Sequence, residues 1–247
     1  MSTNYDKQAE NWHRDEPKHD TDFVGRPEVL EVFKEIGKGK AVLDLGCGEG
    51  YFSRQMAGIA KKVIGVDISE KMIELAIERE KEEKRGIEYH LGDVRCMPFV
   101  QDASIDVCVG NFIVNYIHPD ELPVFYSEIA RVLVDKGQFV LLLPHLPLHL
   151  AKQYGEAVHF ERKGYDYFKS RGWYFKATLK TVQGDVFEVG EYHSTLEDQF
   201  KGISLAGLAV TRILEPVFTP DITEKYPLFK ELEGEPISMI IVGKKLK

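Results

Sequence analysis

Short apolar runs and longer amphipathic stretches alternate along the first 145 residues. Val42–Leu45 is strand-like, and the chain from Tyr51 to Ala60 reads as the helix that follows it. Lys62–Val66 is a second apolar strand. After it, SEKMIELAIEREKEEKR puts Met72, Ile73, Leu75, Ala76 and Ile77 on one helical face and charges on the rest. The pattern continues with strands over 87–92 and 105–112, a helix in PDELPVFYSEIARVL, and a fifth strand over 137–143. Such alternation predicts a doubly wound α/β fold, a parallel sheet with right-handed crossovers. Farther on, KATLKTVQGDVFEVGEYH is two alternating runs joined at Gln183-Gly184-Asp185, which reads as a hairpin. TLEDQFKGISLAGLAVTRILEPV reads as a last helix and a sixth strand, and ISMIIVGKK as a seventh strand. The chain divides into an N-terminal segment (1–25), a core (26–143), a cap inserted between strand five and the last helix (144–194), and the C-terminal part of the core (195–247).

The first strand runs into a glycine turn, AVLDLGCGEG, with Gly46, Gly48 and Gly50 at alternate positions. A strand that turns into a helix through glycines leaves backbone N–H groups bare at the helix start, where the dipole also favours a polar or anionic ligand. A dinucleotide site wants G-x-G-x-x-G. Here the third glycine comes one residue early, and Asp44 precedes the turn. A carboxylate there repels a pyrophosphate and suits a ligand that carries an ammonium group.

Other polar residues fall at strand ends. Asp67 lies 17 residues beyond Gly50 (67 − 50), at the tip of the second strand. There a carboxylate can accept from both hydroxyls of a ribose. It can also serve as a helix N-cap, with Ser69 as the rival cap. Asp93 follows the third strand and Asn111 ends the fourth. Ligands of parallel sheets bind beyond these carboxyl ends. Met72 is placed either over that pocket, its thioether against a flat ring, or in the core.

The string VLDLGCGEGYF resembles motif I of the class I S-adenosylmethionine-dependent methyltransferases, small-molecule type. GDVRCMPF after strand three and ARVLVDKGQFVLL before strand five are also similar to that family. The resemblance covers roughly residues 1–145. It implies a Rossmann-like, seven-stranded, mostly parallel sheet whose last strand is antiparallel, and S-adenosyl-L-methionine as cofactor. The implied cofactor residues are Asp44, Gly46, Cys47 and Gly48 at the turn, Asp67, Ile68 and Met72 after strand two, Asp93 and Val94 at the adenine, and Asn111. The opening NYDKQAENW is similar to a YDxxAxxY segment that folds over the cofactor. In that match Tyr5 bonds the cofactor carboxylate and Trp12 walls the pocket, with His19 in reach. Nucleic-acid amine methyltransferases usually carry Asn/Asp-Pro-Pro-aromatic after strand four, and Gly110-Asn111-Phe112-Ile113 lacks it.

Composition adds limits. The formal net charge of −8 argues against a nucleic-acid substrate, because phosphate neutralisation carries much of such affinity. Lys81, Lys84 and Arg85 alternate with glutamates and read as a solvated helix face. Cys47, Cys96 and Cys108 have neither metal-ligand nor disulfide spacing, so no metal is expected. No signal peptide opens the chain and no apolar run approaches 18 residues, so a cytoplasmic protein without membrane contact is expected, with a homodimer left open.

The cap is dense in aromatics: Tyr154, Phe160, Tyr165, Tyr167, Phe168, Trp173, Tyr174 and Phe175. They are either a wall for a planar or apolar small-molecule methyl acceptor or the cap's own core. For a general base, His145 after strand five and His193 at the end of the cap are the candidates, with Tyr116 a further one. His118, before Pro119 at a helix start, reads as structural.

Overall fold

A computed structural model describes Trp12, residues 14–148, Leu150 and residues 155–247. Seven strands form the central sheet: β1 (Ala41–Leu45), β2 (Lys62–Asp67), β3 (Ile87–Leu91), β4 (Ile105–Asn111), β5 (Leu133–Pro144), β9 (Leu208–Leu214) and β10 (Ser238–Lys245). Their spatial order is β3-β2-β1-β4-β5-β10-β9. The first five pair in parallel, and β10 runs antiparallel to both β5 and β9, as the resemblance implies. Strand order reverses between β1 and β4, which is where open α/β sheets bind ligands.

Both faces of the sheet are covered, so its central strands read as nearly continuous apolar runs. Alternation still sorts their side chains. On β5, Phe139, Leu141 and Leu143 enter one apolar cluster while Val140 and Leu142 enter another. The first cluster is closed by α5 (Leu122–Val132) through Phe125, Tyr126 and Ile129, and by Ile203 of α6 (Leu196–Leu205). The second is closed by α2 (Arg26–Ile36) through Val29, Val32 and Phe33, and by Phe52 and Met56 of α3 (Tyr51–Ala57). The apolar face of α4 (Glu70–Glu83) buries Met72, Ile73 and Ala76. A four-residue helix, α1 (Asp20–Phe23), precedes α2.

The cap is a three-stranded antiparallel sheet, β6 (Val158–Phe160), β7 (Tyr174–Lys180) and β8 (Val186–Tyr192). Its core joins Val158, Phe160, Phe175 and Ala177 to Val24, Phe218, Phe229, Leu232 and Ile237. Residues beyond β9, including α7 (Pro220–Lys225), therefore help to hold a sheet inserted before α6. The N-terminal segment is tied to the same unit: Val182 N–H donates to Lys18 O at 3.1 Å. No helix among the described residues is long and apolar enough to cross a membrane.

Candidate active site

A cavity of about 410 Å³ lies between the carboxyl ends of β1, β2 and β4 and the cap. Its floor is the glycine turn. Gly46 has φ +70°, and a Cβ there would lie 2.8 Å from Ile113 Cδ1. Gly48 has φ +55°, and a Cβ there meets nothing within 4 Å. Positive φ at these positions favours glycine. The turn's own amides are spent, Gly46 and Cys47 N–H on Val66 O at 2.8 and 3.0 Å and Gly48 N–H on Asp67, so the expected bare donors are not found there and the open space above Gly48 offers a ligand close approach to the backbone.

Asp67 ends β2 at the edge of this turn. Its Oδ2 accepts from Gly48 N–H and its Oδ1 from Ser69 N–H, both at 2.9 Å. Ser69, not Asp67, caps α4, with its Oγ accepting from Met72 N–H at 3.3 Å. The carboxylate is thus oriented by backbone donors on both of its oxygens.

Asp44 is 1% exposed and accepts from Ser53 Oγ at 2.5 Å. Burial pushes its pKa up to about 7, and the charge of Asp67 adds to the rise. A neighbouring cation reverses both effects. Asn111, at the end of β4, points both amide atoms into buried space without a hydrogen-bond partner among the described residues. Glu49 is buried and held by Arg54 at 2.9 Å.

Trp12, Asp44, Gly46, Cys47, Gly48, Asp67, Ile68, Met72 and Asn111 all line the cavity, as does Tyr116. Tyr5 and Tyr154 lie outside the described residues. Four other sequence candidates are placed elsewhere. Asp93 does not line the cavity: its oxygens take Arg95 Nε at 2.9 Å and Nη2 at 2.6 Å, and those bonds hold its pKa below the usual carboxylate range. Val94 is buried in the core. His145 is 5% exposed, with Nε2 2.7 Å from Glu215 Oε1, and His193 is 1% exposed, with Nε2 2.8 Å from Tyr167 O. Neither histidine is among the residues that line the cavity. His118 does cap a helical turn, its Nδ1 accepting from Asp120 N–H at 3.3 Å. The cap aromatics divide: Phe160 and Tyr174 line the cavity, Phe175 is core, and Phe168 and Trp173 are exposed.

Sequence reasoning missed Arg14, Arg26, Asp20 and Glu191 on the lining and placed His19 only as within reach. Arg14 and Arg26 both approach Asp22, at 3.2 and 3.0 Å. Burial opposes ionisation of Asp22, but the two guanidiniums win and hold its pKa at about 2. His19 is 2% exposed, packed between Trp12 and Phe187, with neither ring nitrogen hydrogen-bonded among the described residues. Burial, with Arg14 nearby, lowers its pKa to about 3, so the ring is neutral. Asp20 and Glu191, 4% and 6% exposed, complete the cap side. A signal for Glu191 existed: it sits in the apolar phase of the alternating run Phe187-Val189-Glu191.

The donor set fits a ligand with a diol, an ammonium group and a flat ring. Asp67 presents an oriented carboxylate, Asp44 a buried acid beside the turn, Asn111 an unspent amide, and Ile68 and Met72 apolar surface.

Residues 42–137 match a family model described as a methyltransferase domain. The malonyl-[acyl-carrier protein] O-methyltransferase of Serratia marcescens is 32% identical over 119 residues, 48% of this chain and 43% of that protein. The demethylmenaquinone methyltransferase of Lactococcus lactis is 37% identical over 128 residues, 48% of this chain and 50% of that one. The chain thus spans about half the length of these curated relatives. The S-adenosylmethionine dependent methyltransferase from Mesorhizobium loti superposes with a TM-score of 0.65 at 21% identity, covering 88% of this chain and 96% of that one. Residues 42–137 thus match a methyltransferase domain, and the chain shares the fold of this solved structure.

Proposed function

We propose that this chain transfers the methyl group of S-adenosyl-L-methionine to a small molecule with an aromatic or apolar body. One observation carries the reading: a single cavity joins the glycine turn and Asp67 at one end to an apolar cap wall, including Val158, Phe160 and Leu179, at the other. The turn at Gly46–Gly48 gives the cofactor backbone contact, Asp67 receives the ribose hydroxyls, Asp44 faces the ammonium group, and Ile68 and Met72 pack on the base. The bound cofactor supplies an electrophilic methyl carbon on a positively charged sulfur.

This chain's own residues position and enclose. The apolar cap wall fixes the acceptor against the turn and excludes water. Alignment of two reactants in this way is worth about 7–11 kcal/mol of the barrier. Base assistance adds roughly 10²–10⁴-fold where the nucleophile must lose a proton. That base is sought first among residues on the cavity, of which Tyr116 is one.

The test is calorimetry with S-adenosylmethionine and with its demethylated thioether, followed by transfer of labelled methyl to a metabolite extract. Binding of both compounds and label in a low-molecular-mass product are expected. No heat with either compound, or label only in protein or RNA, overturns the reading.

A further inference from the structure

His19 lines the cavity and is 2% exposed, yet neither ring nitrogen meets a hydrogen-bond partner among the described residues. A neutral imidazole has one N–H donor and one bare acceptor, and leaving both unspent in a buried place costs free energy. The fold nevertheless fixes the ring. The Trp12 ring lies 4.8 Å from it, and Phe187 of β8 meets it edge-on at 5.0 Å. The backbone N–H of His19 donates to Asp22 Oδ2 at 3.1 Å, and the carbonyl of Lys18 beside it is tied to Val182 of the cap. The backbone and the ring's faces are held while its nitrogens are spared, the condition of a group kept for a ligand.

The surroundings select the ligand. Burial does most to keep the ring neutral; Arg14, Arg26 and Lys18 add to it, and Asp22 opposes them. Asp20, also on the lining, is drawn by Arg26. An ammonium group is a poor partner for a ring in this setting, whereas a neutral hydroxyl donates its hydrogen to the bare nitrogen without adding charge. Asn115, after β4, adds a second acceptor. It is 7% exposed and lines the same cavity, and its Oδ1 has no partner among the described residues.

We infer that the methyl acceptor is a neutral hydroxyl compound, a phenol or an enol, and that His19 is the catalytic base that takes its proton. This rests on the methyltransferase reading above. An oxygen lone pair forms the new C–O bond. The C–S bond breaks with its electron pair going to sulfur. The methylated oxygen still carries its hydrogen and is an oxonium, a far stronger acid than an imidazolium. Its proton therefore passes to the bare nitrogen of His19 although the ring is a weak base. When product leaves, burial and Arg14 favour return of that proton to water, and the ring is neutral again.

The experiment uses 2-naphthol, 2-methoxynaphthalene, which lacks the O–H, and 2-naphthylmethylamine. Protein saturated with the demethylated thioether serves for binding, and with labelled S-adenosylmethionine for turnover. The naphthol is expected to bind at least about tenfold more tightly than the other two, to shift the ring-nitrogen magnetic resonance of His19, and to take the label. His19→Gln keeps a hydrogen-bonding side chain that cannot take up the proton. It should lower kcat about 100-fold with thioether affinity unchanged. Its rate should then climb about tenfold per unit from about pH 7.5 to 9, as ionised naphthol makes a base unnecessary, while the wild type stays nearly level. A merely structural role would leave the two profiles parallel. Equal or tighter binding of the ether or the amine, no binding of the naphthol, parallel profiles, or lost thioether affinity in His19→Gln overturns the inference. An unmoved His19 resonance in wild type with naphthol bound overturns it too, and that measurement stands even where the variant does not fold. Failure of the wild-type protein to bind the thioether is a separate result and defeats the methyltransferase reading itself.

Discussion

Gly48 N–H donates to Asp67 Oδ2 at 2.9 Å, so the turn after β1 and the tip of β2 are one rigid unit. The glycine that lets a ligand approach the backbone and the residue that supplies the carboxylate are set by the same bond. Asp67→Ala removes both that tie and the proposed ribose acceptor. Cofactor affinity should fall by about 1.5–3 kcal/mol, the range for a charged hydrogen-bonding group. Calorimetry on a mutant with unchanged circular dichroism measures this, and unchanged affinity would remove the ribose assignment.

At Gly46, valine meets two obstacles, a backbone at φ +70° and Ile113 at 2.8 Å from the new Cβ. A β-branched residue is a poor fit to that backbone region. Gly46→Val should abolish measurable cofactor binding while far-UV circular dichroism still reports the sheet. Retained binding would mean that the turn does not face the ligand.

Asp44 makes binding pH-dependent. Its folded pKa of about 7 lies above the ordinary 3.8, so the free folded protein holds a proton that the unfolded chain releases. This group's contribution to stability therefore declines as pH rises from about 4 to 7 and is least favourable above that. A bound ammonium group favours the ionised form, so cofactor affinity should weaken as pH falls below 7, approaching about tenfold per unit. Calorimetry from pH 5.5 to 7.5 tests the slope. Asp44→Asn should flatten it, bind weakly throughout, and gain more thermal stability over wild type at pH 8 than at pH 5. A steep slope surviving in Asp44→Asn would assign the titration elsewhere.

His145 and His193 are expected to matter for folding and not for turnover. His145→Ala loses the contact with Glu215, and His193→Ala loses that with Tyr167 O. Each should cost about 0.5–1.5 kcal/mol of stability, the net worth of a typical intramolecular hydrogen bond. Denaturant melts measure that cost, and single-turnover methyl transfer in the folded mutants should stay near wild type. A collapse of the chemical step in either would return that histidine to the site.

The sheet was legible because period-two and period-3.6 patterns leave distinct marks, and because strand ends in a parallel sheet converge wherever the helices pack. Asp44, Asp67 and Asn111 could be placed together on that ground alone. Asp93 could not be resolved this way: position in sequence puts it at a strand end, but only side-chain geometry shows Arg95 two residues later turning back onto it. His145 and His193 looked available for the same reason, since the contacts that occupy them lie 70 and 26 residues away. Arg14 and Asp22 sit in a polar stretch with no periodicity, where local pattern carries no signal, and only the resemblance put His19 in reach. Their arrangement is set by the cap, which packs on them from more than 150 residues downstream.

The bond between Val182 and Lys18, together with the tilted contact of Phe187 with Trp12 and its edge-on contact with His19, fastens the front edge of the molecule to its roof. The two cannot swing apart independently. In the proposed reading, a shift of the roof that admits an acceptor carries with it the segment beside the nucleoside, which couples the exchange of the two ligands.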